Sequence, residues 1–166
     1  MAPNQTQFEQ MVRAYSAELY RYAYWLSRDR FAAEDLLQEA FARAWKAWPE
    51  LRDRTSAKAW MITILRNEHA RGFARKQLDI VDQDPDELEL PVVPSGAQGL
   101  EMEQMIRTLP LTYREPLMLQ VLGGFTCSEI AGILGATEGA IMTRLTRARQ
   151  ALRGELLGAE TRRSVR

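Results

Sequence analysis

The chain has 166 residues, a single cysteine, a hydrophobic fraction of 46% and a formal net charge of zero. That length allows one or two small domains, the lone Cys127 excludes an intrachain disulfide, and no apolar run reaches the roughly 20 residues of a membrane-spanning helix. Sparse Val and Ile beside abundant Ala, Leu, Glu, Arg and Met favour an all-α fold. No basic-then-apolar signal peptide opens the sequence, and a reducing, cytoplasmic setting is the expectation.

In chain order, Phe8, Val12, Tyr15, Leu19, Tyr22 and Leu26 repeat at four and three, which predicts an amphipathic helix from Gln5 to Arg28. A second helix is expected from about Ala32 to Trp48, stopping before Pro49. On it Asp35, Gln38 and Glu39 stand at i, i+3 and i+4 and share one polar face. Leu36, Leu37, Ala40, Phe41 and Ala44 are left to pack. By itself such a triplet reads most simply as a solvated acidic face. After the polar connection "PELRDRTS", Ser56 can cap a third helix, Ala57 to Lys76, with Trp60, Met61, Ile64 and Leu65 on its buried side. Helical spacing places Trp45 and Trp60 in the core. His69, the only histidine, has no second metal-type ligand near it.

The segment "DIVDQDPDELELPVVPSGAQG" follows, with three prolines and two glycines. It reads as an interdomain linker. Charge is segregated around it. Asp79 to Glu103 holds eight acids and no Lys or Arg, Arg43 to Lys76 holds nine Lys or Arg against three acids, and Gly139 to Arg166 holds seven Arg against two acids. The neutral total hides two basic blocks, the distribution expected of a chain that meets a polyanion.

A second helical unit starts near Leu100. Thr112 with Glu115 has the spacing of a capping box, which puts Pro116 near the end of a first turn. In "FTCSEIAGILG", Thr126 and Glu129 make another such box. Ile130, Ala131, Ile133 and Leu134 are the apolar positions, and Gly135 can take the left-handed conformation that ends the helix. Cys127 reads as a small core residue. Thr137 then caps a last helix, Glu138 to Leu152. Ile141, Leu145, Ala148 and Leu152 form one narrow apolar stripe. The rest of the circumference is Met142, Thr143, Arg144, Thr146, Arg147, Arg149 and Gln150, and no acid appears between Glu138 and Glu155. Two helices, a tight turn and a basic second helix make a helix-turn-helix; an αα-hairpin used only for packing is the alternative.

Four strings, "AAEDLLQEAFARAW", "AWMITILRNEHAR", "LPLTYREPLMLQVLGGFTCSEIAGILG" and "TEGAIMTRLTRARQAL", occur in this order with the linker between the second and third. Together they resemble the extracytoplasmic-function (group IV) sigma factors of bacterial RNA polymerase, over nearly the whole chain from Phe8 to Leu157. The resemblance implies sigma region 2 over 1–78, an acidic linker over 79–100 and sigma region 4 over 101–166. It implies that Asp35, Gln38 and Glu39 dock on the clamp helices of the largest catalytic subunit of the core polymerase. Asn67 would sit at the pocket for a flipped −10 base, with Arg66, Arg71, Arg75 and Lys76 reaching phosphates. The last helix would lie in the major groove at the −35 element. With Ile141 at the centre of the buried stripe, Met142, Thr143, Thr146 and Gln150 point toward base edges, while Arg144, Arg147 and Arg149 bind phosphates.

The family often has "EGTVKSRLHRAR" where this chain has "EGAIMTRLTRAR". Ala140, Met142 and Thr146 therefore leave the exact −35 preference open. Implied partners are core RNA polymerase, promoter DNA and an anti-sigma factor, with no cofactor and no membrane insertion. The carboxylates lie in the linker and on one helix face rather than in a metal-ligand set, so the chain is not expected to be an enzyme. The rival reading is a sigma-like decoy that titrates an anti-sigma factor without binding DNA.

Overall fold

A computed structural model describes residues 3–79 and 97–165. Most of the acidic linker and the side chain of Lys76 fall outside the described residues. The chain divides into two compact units, the first ending at Pro91 and the second beginning at Val92. All regular structure among the described residues is helical.

The first unit comprises α1 (Pro3–Ser27), α2 (Arg30–Ala47) and α3 (Ala57–Asp79), with short 3-10 turns at Trp48–Glu50 and Arg54–Ser56. The turn between α1 and α2 is tight. Arg28 takes a left-handed φ of 56°, and the Asp29 carboxylate accepts from Ala32 N at 2.8 Å, capping α2. The α2 side of the core is built from small residues, Ala33, Ala40 and Ala44. They let α1 approach with Phe8, Met11, Leu19, Tyr22 and Ala23, and α3 with Ala57, Met61, Ile62 and Leu65. Val12, Tyr15 and Leu26, expected on the α1 stripe, are only partly covered, and Met11 and Ala23 take buried places instead. On α3, Ile62 is buried while Trp60 and Ile64 are half-buried.

Two expectations are corrected in this unit. Trp45, expected in the core, is 47% exposed, whereas Trp48 is only 2% exposed. Pro49 stops α2, and the 3-10 turn folds Trp48 inward. Its ring meets Phe8 edge-on at 5.3 Å and Trp60 at 6.0 Å, under the Arg54 guanidinium at 4.1 Å. Trp45 meets Phe8 in a T-shaped pair at 5.2 Å. The lead-in to α3 is organised by Asp53 rather than Ser56. The Asp53 carboxylate accepts from Thr55 N and Thr55 Oγ1 at 3.0 and 2.5 Å, and Ser56 Oγ is turned back to donate to Asp53 O at 2.9 Å.

The second unit comprises α4 (Ala97–Thr108), α5 (Leu111–Gly123), α6 (Cys127–Leu134) and α7 (Glu138–Ser164). Leu109, Leu117, Met118, Leu119, Phe125, Ile130, Ile133, Ile141, Leu145 and Ala148 form its core. The capping box expected at Thr112 and Glu115 is absent. Pro110 O starts α5 by accepting from Tyr113 N and Arg114 N, both at 2.9 Å, so Thr112 already lies inside the helix. Pro116 consequently falls in the helix interior, not at the end of the first turn, and its ring is buried. The lost backbone donor is offset by packing. Gly124 ends α5 with φ 65°. The basic helix also runs past Leu152 to Ser164, a length of about 40 Å. Thr108 Oγ1 donates to Glu155 Oε1 at 2.9 Å, tying α4 to this added length.

Candidate nucleic-acid interface

The α6–α7 pair folds as its sequence pattern requires. Thr126 Oγ1 accepts from Glu129 N at 3.2 Å and Glu129 Oε1 from Thr126 N at 3.1 Å, a complete capping box. Gly135 takes φ 64°, with its N–H on Ala131 O. Thr137 Oγ1 accepts from Ala140 N at 3.1 Å and starts α7. Ile141, Leu145 and Ala148 are buried as expected, and Leu152 is half-buried. This pins the rotation of α7. Met142, Thr143, Thr146, Arg147, Arg149 and Gln150 are all exposed, and Arg144 is half-buried beside them.

Internal hydrogen bonds decide what this face offers. Thr143 Oγ1 donates to Gly139 O at 3.1 Å and Thr146 Oγ1 to Met142 O at 2.9 Å. Each hydroxyl hydrogen is spent on the helix's own backbone. Outward, each threonine presents acceptor lone pairs and a methyl group. Arg149 Nη2 donates to Gln120 Oε1, so α5 orients this guanidinium. Gln120 carried no periodic or motif signal that could have marked it.

In the first unit Asp35, Gln38 and Glu39 are all exposed on α2, opposite the buried Ala33, Ala40 and Ala44. One side of that exposed surface carries Phe31, 74% exposed, which sequence reasoning passed over. On α3, Asn67, Arg71 and Arg75 are exposed and Arg66 is half-buried. Asn67, Arg71 and Arg75 follow one another at four-residue steps and share a face. Between them lies Glu68, with a side chain only 9% exposed. Its Oε1 accepts from Arg71 Nη1 at 2.9 Å and pairs with Arg43 Nε of α2. The Glu68–Arg71 pair was legible as an i, i+3 spacing; the partner on α2 was not. Lys76 belongs to the predicted set but its side chain is outside the described residues.

One carboxyl has a clearly displaced titration. The Asp53 carboxylate is held below the usual range, first by the Thr55 hydroxyl, then by the Thr55 backbone N–H, with Ser56 adding a smaller contribution against a small opposing effect of burial. Among the described residues no group of three or more His, Cys, Asp or Glu is arranged to hold a metal ion, and no helix is long and apolar enough to cross a membrane.

Residues 11–78 match the family described as Sigma-70 region 2, and residues 99–152 match the one described as Sigma-70, region 4. The chain is 33% identical over 144 residues to the probable RNA polymerase sigma factor RfaY of Xanthomonas campestris pv. campestris, covering 80% of this chain but 36% of that longer protein. It is 30% identical over 152 residues to the ECF RNA polymerase sigma factor SigM of Bacillus subtilis, covering 87% of this chain and 92% of SigM. Among solved structures it is similar to the sigma factor RpoE of Bartonella quintana, crystallised in complex with the anti-sigma factor NepR. The TM-score is 0.78 at 28% identity, over 90% of this chain and 96% of that one.

Proposed function

Because this chain belongs to the extracytoplasmic-function branch of the sigma-70 family, and is thus an alternative sigma factor directing transcription initiation, we propose a division of labour between its two units. The first unit, placed at residues 1–78, docks on core RNA polymerase through Asp35, Gln38 and Glu39. It receives the −10 element on α3, where Asn67 captures an unstacked base and Arg66, Arg71, Arg75 and Lys76 meet phosphates. The second unit reads the −35 element. Arg144, Arg147 and Arg149 grip phosphates, and Met142, Thr143, Thr146 and Gln150 face base edges. The acidic segment 79–100 joins the two.

The observation that carries this reading is the chemical split between exposed faces on separately folded units. An acid-and-amide triplet stands on α2, and α7 carries an acid-free basic face from Gly139 to Gly154. The retained arginines of α7 weigh against a decoy that has given up DNA. RNA synthesis is left to the core enzyme, and the chain works in the cytoplasm with it. An anti-sigma protein completes the partner set. Transcription in vitro with core polymerase, the purified chain and genomic DNA, with start sites mapped, tests the reading. Starts at a discrete promoter set, absent with core alone, are expected; no chain-dependent starts on any template would sink it.

A further inference from the structure

Glu68 of α3 has a side chain only 9% exposed, and it is shared by two arginines. Arg71 comes from the next turn of α3, at 2.9 Å, and Arg43 from α2. Both guanidiniums are about half exposed. Each therefore has donors left over for an incoming anion, because a guanidinium carries five N–H groups in a fixed fork. A carboxylate held between two arginines is the arrangement that a DNA phosphate would otherwise provide. The two arginines and one carboxylate sum to one positive charge where the arginines alone would give two.

We infer that Glu68 is an internal stand-in for a DNA phosphate, which holds Arg43 and Arg71 in place and withholds one unit of positive charge from duplex DNA. The inference rests on the proposal that α3 faces DNA. A phosphate approaching Arg71 or Arg43 must compete with an anion already seated, so contacts made anywhere on a duplex are weakened. Glu68 is thus a positioning residue that lowers the affinity of α3 for duplex DNA of any sequence. It also ties α2, the proposed polymerase-docking helix, to α3.

The test measures DNA binding by the purified chain and by its holoenzyme against salt, on a promoter fragment and on a fragment lacking promoter elements. Glu68→Gln keeps the shape of the side chain and removes its charge. The expected result is a plot of log affinity against log salt that steepens by about one on both fragments, one more phosphate neutralised. Glu68→Asp, which keeps the charge, should return the slope toward that of the unaltered chain. A slope for Glu68→Gln that is unchanged or shallower overturns the inference. Should Glu68→Gln fail to fold, as thermal melting would reveal, the single substitutions Arg71→Gln and Arg75→Gln decide. Arg75→Gln should flatten the slope by about one and Arg71→Gln by less than half as much; equal losses overturn the inference. If Arg75→Gln changes nothing, the proposal that α3 faces DNA has failed, and the inference falls with it.

Discussion

Arg147 and Thr143 lie one turn apart on the exposed face of α7 and are assigned opposite kinds of DNA contact. A phosphate contact positions without reading sequence. Arg147→Ala should therefore weaken holoenzyme binding to all −35 variants alike and flatten the salt slope by about one. Thr143 donates its hydroxyl hydrogen to Gly139 O, so a base can meet only its acceptor lone pairs or its methyl group. Thr143→Val keeps the methyl and Thr143→Ala loses both. If the oxygen accepts from an adenine or cytosine amino group, both variants should lose discrimination at one −35 position, by about 1 kcal/mol. If the methyl packs on a thymine methyl, only Thr143→Ala should. Binding across a panel of −35 variants at two salt concentrations separates these outcomes. A shift of base preference in Arg147→Ala, with mere scaling in both threonine variants, would show that the assignment of the face is wrong.

The α6–α7 pair is set by its two caps and the glycine between them. Gly135 has φ 64°, and a Cβ there would meet nothing within 4 Å. Gly135→Ala should thus destabilise the second unit by the backbone term alone, about 1 kcal/mol. Denaturant melts of the full chain would report it, and the loss should fall on −35 binding while core polymerase binding is retained. A loss of core binding instead would mean that the turn serves docking. The lead-in to α3 responds to acid. Because its hydrogen bonds hold the Asp53 carboxylate below its ordinary pKa, the folded state binds that proton less readily than the unfolded chain. Its contribution to stability is fully present above the unfolded value, fades as pH falls toward the folded one, and is gone below both. Asp53→Ala should accordingly destabilise the protein at neutral pH, by a gap that narrows under strongly acidic conditions, where the carboxyl is protonated. An equal gap between the two melting curves at every pH would mean that the carboxylate's charge is not what holds the turn. These elements were readable because caps and C-terminal glycines are local chemistry. The misread start of α5 has the same origin. Thr112 and Glu115 have the right spacing for a box, but Pro110 begins the helix two residues earlier, so Thr112 lies within the first turn and not at the cap.

On the proposed division of labour, a lesion in one unit should leave the other's activity intact. Asp35→Ala combined with Gln38→Ala removes two exposed side chains, so the melting temperature should hold, since exposed substitutions change stability by about 0.5 kcal/mol or less. Pull-down of core polymerase should fall at least tenfold, and promoter-specific transcription with it. Undiminished core binding by this double variant would take the docking role away from α2. Neutral net charge gives no hint of this division, since a whole-chain sum averages the acidic segment against two basic blocks.

Helix type, the order of the helices, the capped glycine turn and the apolar stripe of α7 followed from the sequence, because each rests on spacing within a few residues of one chain segment. So did the exposed positions of Asp35, Gln38, Glu39 and the outward residues of α7, once the buried stripe fixed the rotation. Which tryptophan is core did not follow. Trp45 and Trp48 are both compatible with helical spacing, and only the reversal at Pro49 and the partners Phe8 and Trp60 settle the matter. The couplings Glu68–Arg43 and Arg149–Gln120 each join different helices. A pairing between distant segments leaves no periodicity in either one, so the tertiary structure alone decides which arginines stand beside an acid or an amide and which remain exposed without one of these partners.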